Sequence, residues 1–399
     1  MDNLQNKERQ YLLYTLSAAT FIIFFQLYMV APLIPSLSTF FKTSEQTVGL
    51  TVTAYLIPYG ISTLFYGLLA DKLGTKGIII TSLFAFSVLT ALTAFSQSIN
   101  QLIIWRFITG IGASGVVPLS LAWIGQSYSF EERGRSLGWL FGAMAGGGAF
   151  GSSLGVILEP FVGWKMLFIG VSIIAAIIGV ILYNIYQKIQ IPKRTKLQLT
   201  LPIVFNGYKQ LLSSQRGIIA YVFVFFNAIF HAGVFTWLGF YFQKTFNLNG
   251  LEIGLALLGY GIPGFLLGPY IGKLADKYGR WKLLPFGLAL SGLSAILLVF
   301  NIPLGIAVLA VTFLSMGYDL TQPLLAGIIT QVGKERSGQA MSLNVFMLFL
   351  GFGLGSYLFG LLLNFGLIQA LIIFSIFQLA LSLLGFILFK NERKKITSI

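Results

Sequence analysis

The sequence predicts an all-α polytopic membrane protein, with twelve transmembrane helices arranged as two pseudo-symmetric six-helix bundles. Three observations carry that prediction. Of 399 residues 56% are hydrophobic and only 10% charged, with a mean hydropathy of +0.84, whereas a soluble domain carries about 25% charged residues. Apolar runs free of charge recur along the chain, many longer than the ~18 residues that cross a hydrocarbon core as a helix. An eight-residue loop, Gly67-Leu68-Leu69-Ala70-Asp71-Lys72-Leu73-Gly74, returns 205 residues later as Gly272-Lys273-Leu274-Ala275-Asp276-Lys277-Tyr278-Gly279.

The charges punctuate the spans. Met1 to Gln10 carry both signs, and the run after them is too long for a signal-peptide core, so span 1 (11–34) is expected to stay in the protein. Span 2 (46–69) lies between Glu45 and Asp71, and span 3 (77–96) follows Lys76. Ser96 to Gln101 separates it from span 4 (102–127), which contains Arg106. Span 5 (136–157) begins after Arg135, and span 6 (165–186) runs from Lys165 to Lys188. A linker at 188–216 follows, with Lys188, Lys193, Arg194, Lys196, Lys209 and Arg216 and no acid. Span 7 (217–241) ends before Lys244, and span 8 (251–272) before Lys273. Asn301-Ile302-Pro303 divides span 9 (281–300) from span 10 (304–330). The charge-free stretch from Ser337 to Phe389 is too long for one crossing and breaks at Asn364-Phe365-Gly366 into span 11 (338–361) and span 12 (366–389). The expected organisation is a bundle at 1–187, the basic linker, and a second bundle with a short tail at 217–399.

Basic loops resist translocation, so Lys and Arg set the orientation. With both termini cytoplasmic, 22 basic residues lie inside and Lys42, Lys165 and Lys244 outside, with Arg106 within a span. Glu45, Glu159 and Glu252 then read as outer-surface charges. The expected location is the cell's inner (plasma) membrane. The net charge of +14 is this asymmetry facing anionic lipid, and needs no nucleic-acid partner. The absence of Cys excludes disulfides and thiolate metal sites. No G-x-x-x-x-G-K-[ST] loop supports nucleotide hydrolysis, and no cluster of His, Asp and Glu suggests a metal. An enzyme is not expected, nor a cofactor; a transmembrane proton gradient would be the energy source.

The matched loops after spans 2 and 8, with Glu132-Arg133 and Glu335-Arg336 after spans 4 and 10, put the halves in the same orientation. Their symmetry axis then runs along the membrane normal. The doubled G-x-L-A-D-K-x-G loop resembles the signature of the major facilitator superfamily along the whole chain. The resemblance implies that Asp71, with Gly67, Lys72 and Gly74, closes the cytoplasmic side by pairing with Arg133, Arg135 and the start of span 11. It gives Asp276, with Gly272, Lys277 and Gly279, the equivalent role beside span 5. A carboxylate is favoured at a helix N-terminus; solvated loop acids are the alternative. Thr75 stands where the family usually has Arg or Lys.

Arg106 to Ala113 is similar to a second family motif, with Thr109 replacing its usual Gln. An arginine at this depth needs a partner. It could relay protons, steer substrate, or snorkel to the interface. Gly147, Gly151 and Gly155 in span 5 resemble the glycine motif of drug antiporters, with Ser152 in place of its Pro, and serve either as hinge or as close helix packing. Phe25 to Pro35 is also similar to that branch, several members of which carry an acid around Gln26. Gln26 could bind substrate or another helix instead.

Asp319 in span 10 is the one acid deep in a span, and such acids are usually functional. It is the first candidate for the coupling proton, followed by His231, the sole histidine, and Arg106. His231 could equally be a neutral packing group. Spans 1, 4, 7 and 10 line the cavity by resemblance, which adds Gln26, Tyr28, Asn227, Phe230, Trp237 and Gln322 as substrate contacts. An aromatic content of 15% suits an apolar or aromatic ligand. The leading expectation is proton-coupled efflux of a hydrophobic drug-like compound or small metabolite by a secondary transporter acting as a monomer in lipid. A uniporter or importer of a sugar, nucleoside or organic acid, and a non-transporting sensor or lipid-handling protein, are the alternatives.

Overall fold

The computed structural model describes residues 2–128, 130–188, 201–260, 279–333 and 336–392, excepting the side chains at 2–6, 67, 68, 71, 72, 125, 126, 130–135, 201–204, 337 and 391. Every regular element among the described residues is helical, as expected where each backbone polar group must be satisfied within its own segment. Nine described stretches are long and apolar enough to cross a membrane, and one of them, Ser136–Lys188, holds both spans 5 and 6.

Span 1 is longer than expected. Its helix runs Asp2–Met29, passes through a single 3-10 turn at Ala31–Leu33, and continues as Ile34–Phe41. Pro32 and Pro35 each fall in the first turn of their element, where the missing N–H is not needed, so neither stops the chain. Spans 2 and 3 are Glu45–Leu73 and Thr75–Ala94, joined through Gly74 at φ 90. Gly279 holds φ 80 at the start of span 9, Arg280–Leu297. The final glycine of both repeated loops therefore serves the same purpose, a left-handed turn that a side chain would strain.

Span 4 is divided, Ile99–Ala113 and Val116–Ser127, where a straight helix was expected. A β-carbon at Gly115 would lie 2.3 Å from Ser82 Oγ and 2.5 Å from the Tyr66 ring. Spans 5 and 6 form one helical run, Phe130–Lys188, bent at Gly163 with φ 77. The linker contains a helix the sequence did not announce, Leu201–Leu211, with Gly207 against Gln339 of span 11. Span 7 is Gln215–Phe246, extended at both ends by the Ser214 cap and the left-handed Asn247. Span 8 opens with the helix Gly250–Ala256, begun by the Asn249–Glu252 capping box; beyond Tyr260 it lies outside the described residues. Spans 10, 11 and 12 are Leu304–Gly333, Ser337–Leu362 and Leu367–Leu388.

Packing repeats between the halves. Gly147, Gly151 and Gly155 let span 5 press on span 1, where their β-carbons would meet Phe21 O, Phe25 O and Met29 Cβ at 2.5, 2.4 and 2.7 Å. Gly351 and Gly355 let span 11 press on span 7 in the same way, against Phe225 O and Ile229 O. Across the halves, contact is dense on the side away from the linker. Gly239 meets Pro32, Gly254 meets Ile157 and Ser153, and Thr53 Oγ1 donates to Gly353 O at 3.3 Å. Trp237 is wedged between Gly49 of span 2 and Gly360 of span 11, with Nε1 donating to Ser356 O at 3.1 Å. That side is closed.

Candidate functional site

Among the described residues, two of the buried polar clusters contain the arginine within a span and the sole histidine. The first surrounds Arg106, which is fully buried and so does not snorkel. Its Nη1 donates to Gln26 Oε1 at 2.7 Å and its Nε to Thr51 O at 3.2 Å, with the Tyr55 ring 4.2 Å from the guanidinium carbon. Spans 1, 2 and 4 are joined there. Their backbones come close enough that a β-carbon at Gly110 would lie 2.3 Å from Tyr55 O.

The second cluster surrounds His231. Its ring lies 3.5 Å from that of Tyr318, and its nitrogens contact the Tyr260 hydroxyl at 3.1 and 2.8 Å. Asp319 follows Tyr318 on span 10; it is half-buried, and Ser315 Oγ donates to its Oδ2 at 3.3 Å. Tyr28 packs 5.1 Å from Phe235, itself 4.5 Å from Tyr260. Gln322 stands one turn from Tyr318 on the same helix.

A run of rings connects the clusters. Tyr55 stacks on Tyr59 at 5.9 Å, Tyr59 on Phe349 at 4.2 Å, and Phe349 lies 5.8 Å from Phe352, which is 5.6 Å from His231. Packed rings thus link Arg106 and Tyr55 to His231, with Asp319 next to Tyr318 on span 10. Aromatic side chains of this kind bind flat apolar ligands by burial, with a few polar groups to orient them.

Other expected contacts lie elsewhere. Asn227 donates to Thr321 Oγ1 at 2.8 Å and accepts from Gln378 Nε2 at 2.9 Å, tying spans 7, 10 and 12 together. Trp237 belongs to the closed side described above, and Phe230 is buried in the core. The side chains expected to gate, Asp71, Lys72, Arg133 and Arg135, with Gly272, Asp276 and Lys277, lie outside the described residues; Gly67 sits within the helix of span 2. Glu159 accepts from Ser36 Oγ at 2.7 Å, and Glu252 caps its own helix.

Sequence reasoning missed Thr51, Tyr55, Tyr59, Tyr260, Phe349 and Phe352. The Tyr55–Tyr59 and Phe349–Phe352 spacings do place each pair on one helix face, but aromatic pairs are too common in lipid-facing helices for that alone to single them out.

Comparisons agree with this architecture. The sequence model of the Major Facilitator Superfamily matches residues 16–251 and 241–398. The Bacillus subtilis protein called uncharacterized MFS-type transporter YceJ is 26% identical over 345 residues, 86% of each chain. The quinolone resistance protein NorA of Staphylococcus aureus is 26% identical over 348 residues, 86% of this chain and 88% of its own. The crystal structure of the human organic anion transporter MFSD10 superposes with a TM-score of 0.72 at 17% identity, covering 96% of this chain and 99% of that one. With a family match spanning both halves and a fold shared over nearly its whole length, this multi-pass membrane chain belongs to the major facilitator superfamily of transporters.

Proposed function

We propose that the protein is a proton-coupled exporter of hydrophobic, aromatic small molecules, working by alternating access with both termini in the cytoplasm. The observation that carries this reading is Asp319, a half-buried carboxylate at membrane depth on span 10, next in sequence to Tyr318, whose ring lies 3.5 Å from that of His231. A carboxylate there alternately takes a proton from outside and releases it inward, while the rings hold the solute. Tyr260 and His231 are within hydrogen-bond distance and supply a second proton-carrying pair. The drug-resistance name of NorA supports efflux, and the basic linker supports the orientation. The inward proton contributes ~2.3 kcal/mol per 100 mV for each net charge moved.

Transport of labelled aromatic compounds into inside-out and right-side-out vesicles tests the reading. Accumulation in inside-out vesicles on imposing an acidic interior, and its collapse with a protonophore, are expected. Gradient-independent equilibration in both vesicle types would replace export by facilitated diffusion.

A further inference from the structure

The hydrogen bonding of the Arg106 cluster is incomplete. Two arms of the guanidinium are occupied, by Gln26 Oε1 and Thr51 O. The third, Nη2, is buried without a partner, as are Gln26 Nε2 and the Tyr55 hydroxyl. All three side chains belong to one contact group, and each is fully buried. No carboxylate among the described residues bonds to the guanidinium. Arginine stays protonated in proteins, so a positive charge with spare N–H and O–H donors beside it meets no carboxylate among the described residues.

We infer that this cluster is an anion subsite that takes the carboxylate of the transported solute, with the solute's aromatic body along Tyr55, Tyr59 and Phe349. The inference rests on the transport reading above and names its substrate class, an aromatic monocarboxylate. A guanidinium edge is shaped to bind a carboxylate, and the amide of Gln26 and the hydroxyl of Tyr55 add donors to the same oxygens. A cationic solute would meet like charge here, and a neutral hydrocarbon would leave the donors unmatched. The three atoms are sealed in this conformation, so the solute reaches them when the spans part, the motion that a transport cycle supplies. Exporting a monoanion in exchange for one proton moves two charges in the same electrical sense, so an inside-negative potential accelerates it. A monocation exchanged for one proton moves none.

The test uses purified full-length protein and thermal unfolding, with benzoate and 2-naphthoate each compared with its neutral amide. The carboxylates are expected to raise the transition temperature and the amides to leave it lower, because a ligand bound to the native state stabilises it by mass action. Gln26→Glu places an internal carboxylate against Arg106. It should fold, and should weaken 2-naphthoate binding by about tenfold or more; Tyr55→Phe, which keeps the ring, should weaken it several-fold. Equal stabilisation by acid and amide, or undiminished naphthoate binding in Gln26→Glu, would overturn the subsite. A stabilisation reproduced by sodium chloride alone, to which naphthoate adds nothing, would overturn the carboxylate assignment in favour of an inorganic ion. Gradient-driven movement of neutral aromatics without carboxylate binding would overturn the subsite and leave the transport reading intact. Failure of any gradient to move any solute would instead remove the transport reading.

Discussion

Replacing Gly49 with alanine puts a methyl group where the Trp237 indole already sits. The new β-carbon would lie 2.6 Å from Cζ2 and 2.7 Å from Cη2 of that ring. The indole is also in contact with Gly360, whose β-carbon position lies 2.8 Å from Cζ2, and its Nε1 donates to Ser356 O at 3.1 Å, so yielding to the methyl group disturbs both. Overpacking of this kind costs about 1–3 kcal/mol. Spans 2, 7 and 11 meet at this point in the structure, and in the alternating-access cycle proposed above the cost falls on the state in which they are packed together. The closed-to-open ratio should drop by about 5- to 150-fold. The chain has no Cys, so spin labels at Gln46→Cys and Asn364→Cys report the gap between spans 2 and 11 directly. Gly49→Ala should shift that distance distribution outward, and adding Trp237→Phe, which shrinks the ring, should bring it back. An unchanged distribution in folded Gly49→Ala, or no recovery in the double variant, would refute the wedge.

Other substitutions test the packing, the polar network and the orientation. Gly151→Ala drives a β-carbon to 2.4 Å from Phe25 O and should lower the transition temperature, whereas Gly142→Ala, with nothing within 4 Å of its β-carbon, should not; equal effects would contradict the span 1–span 5 seam. Asn227→Leu removes the bonds to Thr321 and Gln378 and should destabilise the fold by about 1–3 kcal/mol while the folded fraction still binds aromatic solute, as ligand titration at low temperature would show. Single cysteines beside Lys244 should react with an impermeant thiol reagent in intact cells and those at 188–216 only after permeabilisation; the reverse pattern would invert the topology.

Much of the fold was legible because the bilayer imposes a length on every crossing, so charges and turn residues mark the spans. The bounds of spans 2, 3, 9, 10, 11 and 12 come within a few residues of expectation for that reason. What the charges could not mark were backbone events inside apolar stretches. Span 1 continues through Pro32 and Pro35 because both occupy first turns, and span 4 is interrupted beside Gly115, where Tyr66 of span 2 and Ser82 of span 3 leave no room for a side chain. Neither is visible without the neighbouring helix. At the centre, Asp319, His231 and Arg106 stand out in a sequence of twelve acids and one histidine, and a run of rings leads from the Tyr55 beside Arg106 to His231. The rings themselves were hidden, since Tyr55 or Phe352 differs from a lipid-facing aromatic only in which helix it meets. Asn227 and Trp237, polar and aromatic on the right span, face helix junctions that only the three-dimensional packing reveals.

The central claim, that solute movement is tied to a proton carried at Asp319, is tested most directly in proteoliposomes loaded with a pH-sensitive dye. Aromatic substrate added on one side of the membrane should drive a substrate-dependent proton flux through the unmodified protein. Asp319→Asn should abolish that flux while binding of the same substrate in detergent persists. Wild-type-like proton flux from Asp319→Asn would contradict the account and pass the role to the His231–Tyr260 pair.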